Sequence, residues 1–113
     1  MGLNNAQQAI RQVFTELTQG THHKDGIETQ VVMDDERGHY QLLSVGWNDW
    51  ERTYDVYVHV DIRKDMLWVQ VDNTDYGVAD ALVRFGIPKD KIVLGFQAPF
   101  KRKFTEFATG DVA

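Results

Sequence analysis

Between Tyr54 and Ile62 the sequence alternates residue by residue between one set of side chains rich in valine and another rich in polar groups. Because successive side chains of a β-strand point to opposite faces, this alternation predicts a strand with one buried face. The predicted core face carries Tyr54, Val56, Val58, Val60 and Ile62, and the predicted polar face carries Asp55, Tyr57, His59 and Asp61. A strand of this kind needs neighbouring strands and an apolar layer over its valines, so the chain must build a sheet that is covered on one face.

The residues before and after this strand supply its neighbours. Apolar residues at three- and four-residue spacings predict an amphipathic helix from Asn4 to Gln19, which Gly20 ends. Short links between strands favour an antiparallel meander. The four predicted strands run from Ile27 to Asp34, His39 to Trp47, Tyr54 to Ile62 and Met66 to Asp72.

A second helix is predicted from Tyr76 to Phe85. The preceding residues Asn73-Thr74-Asp75 offer N-cap chemistry, and Gly86 followed by Pro88 stops the helix. A short fifth strand then runs from Ile92 to Phe96, and the segment from Ala98 onward suits a loop or a last helical turn. The predicted fold is therefore α+β, with an N-terminal helix, an antiparallel four-stranded meander, a second helix and a short fifth strand, and with the helices mainly on one sheet face.

The link between the third and fourth strands can be predicted from register, because cross-strand partners share a face. A two-residue turn at Lys64-Asp65 keeps the apolar residues together, whereas a three-residue turn mixes the two faces. The predicted apolar pairs are Ile62 with Leu67, Val60 with Val69 and Val58 with Val71. The predicted pairs on the other face are Asp61 with Trp68, His59 with Gln70 and Tyr57 with Asp72. The same reasoning leaves the register of the earlier links open.

Size and composition limit the possible functions. A chain of 113 residues is expected to form a single domain, residues 1–113, and its lack of cysteine excludes disulfides, thiolate metal sites and cysteine nucleophiles. Since no apolar run approaches about 18 residues and no signal peptide is evident, a cytoplasmic protein without a membrane partner is expected. The net charge is -5, but residues 89–113 carry a local charge of +2. An anionic partner would therefore have to meet the C-terminal segment.

The predicted polar face is the first candidate site. It is predicted to be a contact surface for a partner protein or a second copy of the chain, because tryptophan and tyrosine beside hydrogen-bonding groups are typical of interfaces. The predicted contact residues are Tyr57, His59, Asp61, Trp68 and Gln70. A His/Asp metal or acid-base pair is the alternative. It is less favoured, since no third ligand or nucleophile is evident. No catalytic residue, metal ion or cofactor is therefore predicted.

Three further motifs have weaker functional interpretations. The adjacent histidines His22-His23 could be read as metal ligands. They lack a second ligand pair at metal-binding spacing, so they are interpreted as solvated loop residues. Of the neighbouring indoles of Trp47 and Trp50, one is predicted to lie in the core and the other to be a surface anchor. Two phenylalanines flank the basic run Lys101, Arg102 and Lys103, a pattern that can bind nucleic acid. Three cations at the edge of an acidic domain are few for that task, so a structural or protein-contact role is favoured.

Several residue clusters follow one another along the chain. They are Tyr40-Gln41-Leu42-Leu43 with Val45-Gly46-Trp47, His59-Val60-Asp61-Ile62, Leu67-Trp68-Val69-Gln70, Gly86-Ile87-Pro88-Lys89, Asp90-Lys91-Ile92-Val93-Leu94-Gly95-Phe96 and Thr105-Glu106-Phe107-Ala108. In order and spacing these clusters resemble the XisI family. The resemblance spans most of the chain. The sequence departs from the family pattern at Lys64-Asp65, where the family usually has Asn-Gly or Asp-Gly, and at Gln97, where it often has histidine.

The resemblance implies a small α+β protein with an accessory role in the programmed, site-specific excision of a DNA element in filamentous cyanobacteria. It further implies a partner known as XisH, and it implies no known catalytic activity or set of active-site residues. A regulatory module that acts by protein–protein contact is therefore the leading expectation. Direct DNA binding in excision, or a cryptic hydrolase that uses the His59 and Asp61 face, are the alternatives.

Overall fold

The computed structural model describes residues 3–19 and 26–110 and confirms the predicted α+β class. The helices are α1 (Leu3–Thr18) and α2 (Val78–Arg84), with single 3-10 helices at Lys89–Lys91 and Pro99–Phe104. The strands are β1 (Ile27–Asp34), β2 (His39–Asn48), β3 (Glu51–Arg63), β4 (Met66–Asp72) and β5 (Ile92–Leu94). The predicted helix stop at Gly20 and the His22-His23 motif lie outside the described residues.

The five strands form one mixed sheet in the order β1-β2-β3-β4-β5. The first four strands are the predicted antiparallel meander, while β5 runs parallel to β4 because α2 carries the chain back between them. Strand β1 lies at one edge of the sheet and contains no buried residue. Its Val31, Val32 and Met33 are exposed apolar side chains.

Both helices cover one face of the sheet, as predicted. Val58 and Val60 of β3 are fully buried in a cluster that includes residues of α1, α2 and every strand from β2 to β5. The helical members of this cluster are Ala6, Ala9, Ile10, Val13, Phe14, Val78, Ala79, Ala81 and Leu82. Among the described residues, no helix has the length and apolar content needed to cross a membrane.

Helix α2 begins later than predicted because its cap differs. The carboxylate of Asp72 accepts the backbone N–H of Val78 at 2.9 Å, and Gly77 just before the helix has a left-handed φ of 82°. The N-cap chemistry therefore comes from Asp72 and not from residues 73–75. At the other end the prediction is confirmed, since Gly86 has a φ of 100° and the N–H of Ile87 donates to the Leu82 carbonyl at 3.0 Å.

A β-bulge at Gln70 limits the predicted register between β3 and β4. The pairs Ile62–Leu67, Asp61–Trp68 and Val60–Val69 are confirmed. Beyond them Gln70 is an extra residue on β4, so His59 pairs with Val71 and Val58 pairs with Asp72. The predicted pairs Val58–Val71, His59–Gln70 and Tyr57–Asp72 are therefore wrong.

A second bulge, at Tyr57, reverses the faces of the first half of β3. Val58 pairs with Leu42 and Val56 pairs with Leu43, which leaves Tyr57 as the extra residue. One extra residue reverses which side chains face the core. Tyr57 consequently packs against the core cluster, and Tyr54, predicted to be a core residue, is 64% exposed.

The turn between β3 and β4 has the predicted two residues. Lys64 and Asp65 have φ values of 48° and 63°, the left-handed pair that a tight hairpin turn requires and that Asn-Gly adopts most readily. This conformation costs about 1–2 kcal/mol for each ordinary residue. The native turn is therefore a strained part of the sheet.

Replacing Lys64-Asp65 with Asn-Gly is expected to raise the free energy of unfolding by about 1 kcal/mol, because the new residues relieve this strain while glycine costs entropy in the unfolded chain. Chemical denaturation of the parent and the variant measures the difference. An Ala-Ala turn is the control, and it is expected to be no more stable than the parent. Equal stability of all three turns would show that the turn is not strained.

Candidate functional site

The face of the sheet opposite the helices, here called the open face, has polar residues at its centre. Register places them together, because His39 of β2 is the cross-strand partner of Asp61 of β3, and Gln41 is the partner of His59. His59 and Asp61 are two residues apart on one strand, so their side chains share this face. The pairing of two neighbouring strands thus brings two imidazoles and a carboxylate to one place.

The five polar side chains at this place, His39, Gln41, His59, Asp61 and Gln70, form a connected network, the Asp61 cluster. Oδ1 of Asp61 lies 2.7 Å from Nδ1 of His39 and 2.7 Å from Nε2 of His59. Its second oxygen, Oδ2, accepts a hydrogen bond from the amide of Gln70 at 3.2 Å. Nδ1 of His59 lies 3.2 Å from the side-chain nitrogen of Gln41. The carboxylate is therefore held on both of its oxygens.

Asp61 is only 8% exposed, and it is the one buried charged residue in the described part of the chain. Burial acts to raise the pKa of its carboxyl group, but hydrogen bonds from His39 and His59, the charge of His59 and the bond from Gln70 together hold the pKa below its ordinary value. The ionised carboxylate is thus the favoured form, and it can accept hydrogen bonds or bind a cation.

His39, His59 and Asp61 each offer one ligand atom, and these atoms all lie within 4.8 Å of one another. The sequence alone suggested only His59 and Asp61 and lacked a third ligand. His39 was not predicted as a third ligand, because the sequence does not determine the pairing register between β2 and β3. A usable signal was present, since the alternation of β2 places His39 and Gln41 on the face opposite Tyr40 and Leu42.

Trp68 lies beside this cluster but is partly covered by the chain's own C-terminal segment, residues 98–110. The guanidinium groups of Arg63 and Arg102 lie 4.6 Å and 5.2 Å from the centre of the Trp68 ring. A Cβ atom on Gly110 would lie only 2.6 Å from the ring, so the backbone approaches it closely. A cleft of about 390 Å³ remains between Trp68 and residues 108–110.

The structure thus separates the five residues predicted as a contact surface. His59, Asp61 and Gln70 belong to one hydrogen-bonded network, and Trp68 is the cross-strand partner of Asp61. Tyr57 packs on the opposite side, against the core, because it occupies the bulge of β3. The role of these residues in partner binding stays a prediction.

The C-terminal cations do not form one basic surface. Arg102 turns inward, donating to the carbonyl oxygens of Gln97 at 3.1 Å and Gly95 at 3.3 Å. Lys101 and Lys103 are exposed, and each Nζ atom lies over the phenylalanine next to it in sequence. Only two of the three cations therefore point outward.

Three exposed aromatic residues lie near the turn between β2 and β3. Trp47 is 55% exposed, Trp50 is 95% exposed and Tyr54 is 64% exposed. The guanidinium of Arg52 lies 5.5 Å from the Trp47 ring and 5.9 Å from the Tyr54 ring. The prediction that one of the two indoles lies in the core is wrong, because the hairpin extends beyond the area that the helices cover.

Comparison with known proteins gives a consistent result. The model of the family described as "XisI protein" matches residues 2–109. A crystal structure of a XisI-like protein from Anabaena variabilis is similar at a TM-score of 0.90 and 36% identity, with 95% of this chain and 98% of that chain covered. The structure of the fdxN element excision controlling factor XisI from the same organism is similar at a TM-score of 0.83 and 27% identity, with 96% and 98% covered. No curated protein matches the chain.

Proposed function

The chain belongs to the XisI family, and from this premise we propose that it is an accessory protein of programmed DNA-element excision that acts by contact with a partner protein. The observation that carries the proposal is the likeness, over nearly the whole of both chains, to a protein described as an fdxN element excision controlling factor. The partner is proposed to be a XisH-like protein. Because excision takes place on DNA inside the cell, the proposal places the protein in the cytoplasm.

The aromatic end of the β2–β3 hairpin, residues 47–55, is the proposed centre of the contact. Exposed tryptophan and tyrosine beside an arginine is the composition that dominates the binding energy of protein interfaces. Residues 47–55 also carry three acidic side chains and one basic side chain. Charge complementarity therefore favours a protein partner with a basic rim around an apolar pocket. The predicted residues His59, Asp61 and Gln70 extend the same open face toward Trp68.

Direct DNA binding is the alternative that the surface supports less well. Affinity for duplex DNA rests on several cations that contact phosphates together. The whole chain carries a net charge of -5, and the inward-turned Arg102 leaves only Lys101 and Lys103 exposed in the C-terminal basic run. Contact with DNA is therefore proposed to be indirect, through the partner.

A regulatory role without catalysis is part of the same proposal. In the hydrolase alternative, His59 and Asp61 would act on a bound substrate. The carboxylate of Asp61 is already bonded by two histidines and a glutamine, which supports a positioned polar network more than a free general base.

Trp50→Ala tests the proposed contact. The side chain is 95% exposed, so its removal is expected to leave the melting temperature unchanged. Loss of a central aromatic anchor typically costs about 2 kcal/mol or more in binding, which weakens capture of the co-expressed XisH-like protein by about 30-fold. Affinity is measured by titration of the purified XisH-like protein into each variant.

Phe104→Ala is the matched control, because Phe104 is 79% exposed but lies in the C-terminal segment. It is expected to bind the partner like the parent. Equal binding by parent and Trp50→Ala would place the contact elsewhere. Selective, sub-micromolar binding of duplex DNA by the isolated chain would favour the DNA-binding alternative, and loss of self-association in Trp50→Ala would instead identify a second copy as the occupant.

A further inference from the structure

We propose that His39, His59 and Asp61 form a binding site for one divalent transition-metal ion of the zinc class on the open face of the sheet. This inference rests on the geometry of the Asp61 cluster and is independent of the proposed function. It assigns binding and no reaction. The two proposals can therefore fail separately.

The donor set selects the class of metal. Two imidazole nitrogens and one carboxylate oxygen suit zinc and its neighbours, whereas magnesium and calcium prefer sites built from oxygen ligands. Three protein ligands leave at least one coordination position for water or a partner's side chain. Because the sequence has no cysteine, a thiolate site is excluded.

The donor atoms need only small shifts to share an ion. They lie within 4.8 Å of one another, and zinc binds such donors at about 2.0–2.2 Å, so two ligands of one ion lie about 4 Å apart or less. His39 lies at the edge of the group, with its side chain 54% exposed, so its ring has room to turn. The side chains of His59 and Asp61 are 24% and 11% exposed and are already fixed.

The neighbours of the three donors also fit a metal site. Metal ligands are usually oriented by a second hydrogen bond from an outer residue. Gln70 holds Oδ2 of Asp61, which leaves Oδ1 directed at the two imidazoles, and Gln41 holds Nδ1 of His59, which leaves Nε2 directed at Asp61. With an ion on Nε2 the imidazole proton moves to Nδ1, and the amide of Gln41 can turn to accept it with its oxygen.

The site is accessible because it lies on the side of β3 that faces away from α1 and α2. In the described part of the chain, α1 and α2 pack on the side of the sheet that carries Val58 and Val60, so neither of them lies over His59 or Asp61. An ion can approach from solvent past His39. In the ion's absence Asp61 is satisfied by hydrogen bonds, so the site can form before the ion binds.

The test is a calorimetric titration of chelator-treated full-length protein with Zn²⁺, in parallel with Mg²⁺ and Ca²⁺. The expected result is one Zn²⁺ per chain, a raised melting temperature and no comparable binding of Mg²⁺ or Ca²⁺. Binding of Co²⁺, followed by its visible absorption bands, reports nitrogen and oxygen coordination independently of heat.

The chain offers a matched control, since its four histidines form two pairs, His22-His23 and His39 with His59. His39→Gln is expected to weaken Zn²⁺ binding by about 100-fold, while the half-exposed position keeps the fold intact. The double variant His22→Ala with His23→Ala is expected to bind like the parent, and Gln70→Leu to bind about 10-fold more weakly.

Three outcomes would overturn the proposal: no Zn²⁺ binding by the parent, unchanged binding by His39→Gln, or loss of binding when His22 and His23 are removed. Circular dichroism of each variant establishes that the fold is retained. An unfolded His39→Gln would be replaced by Asp61→Asn, which keeps the shape of the side chain and is likewise expected to lose Zn²⁺ affinity.

Discussion

Val60→Asp is expected to unfold the domain. Val60 is fully buried between β2 and β4 and packs in the same cluster as both helices. A carboxylate at this position would have to be buried without a partner or to push the helices from the sheet. The free energy of unfolding is expected to fall by at least about 4 kcal/mol, a large part of the roughly 5–15 kcal/mol that stabilises a typical domain.

Val32→Asp is the matched control for this prediction. It makes the same substitution in a strand of the same sheet, but at a side chain that is 43% exposed. Its effect on stability is expected to be below about 1 kcal/mol. Circular dichroism with thermal melting compares the variants, and a folded Val60→Asp protein with a melting temperature near that of Val32→Asp would refute the assignment of faces.

Trp68→Ala is expected to release the C-terminal segment. The Trp68 ring contacts Arg102 and lies close to the backbone of Gly110, so the segment loses these contacts when the ring is removed. The free energy of unfolding is expected to fall by about 2–3 kcal/mol. This is less than for a fully buried tryptophan, because the side chain is only partly covered. Limited proteolysis is expected to cleave the variant within residues 98–110 much faster than the parent.

Phe100→Ala provides the comparison, because this aromatic residue of the same segment is 69% exposed. It is expected to resist proteolysis like the parent. If Trp68→Ala is equally resistant but loses affinity for a partner protein, Trp68 acts as the contact residue that the sequence suggested, and the packing role assigned here is wrong.

The sequence predicted the elements of the fold well, because strong local patterns determine them. The valines of β3, the cap at Gly86 and the short link at Lys64-Asp65 each have a direct physical meaning. The bulges at Tyr57 and Gln70 carry no such signal, since neither is glycine. Without the bulge at Tyr57 the alternation assigns Tyr54 to the core and Tyr57 to the open face, the reverse of what the structure shows.

The candidate site was half predicted for a related reason. His59 and Asp61 are close in sequence, so local alternation placed them together, whereas His39 joins them only through pairing between β2 and β3. Residue patterns within one strand do not fix such a register when the turn is not recognised. The packing of residues 98–110 over Trp68 was also not predictable from the sequence, because this segment lacks a periodic pattern.

The parallel pairing of β5 with β4 also sets an order of assembly during synthesis. Strands β1 to β4 pair with their immediate neighbours in sequence, so their contacts are local and can form early. Strand β5 can pair only after α2 has returned the chain, and the bridge from Val93 to Ala108 closes later still. On a ribosome that releases the N-terminus first, His39, His59 and Asp61 therefore emerge well before the residues that cover Trp68. A chain truncated after Asp72 would retain all three donors but lack α2, and so would lack part of the core that supports them.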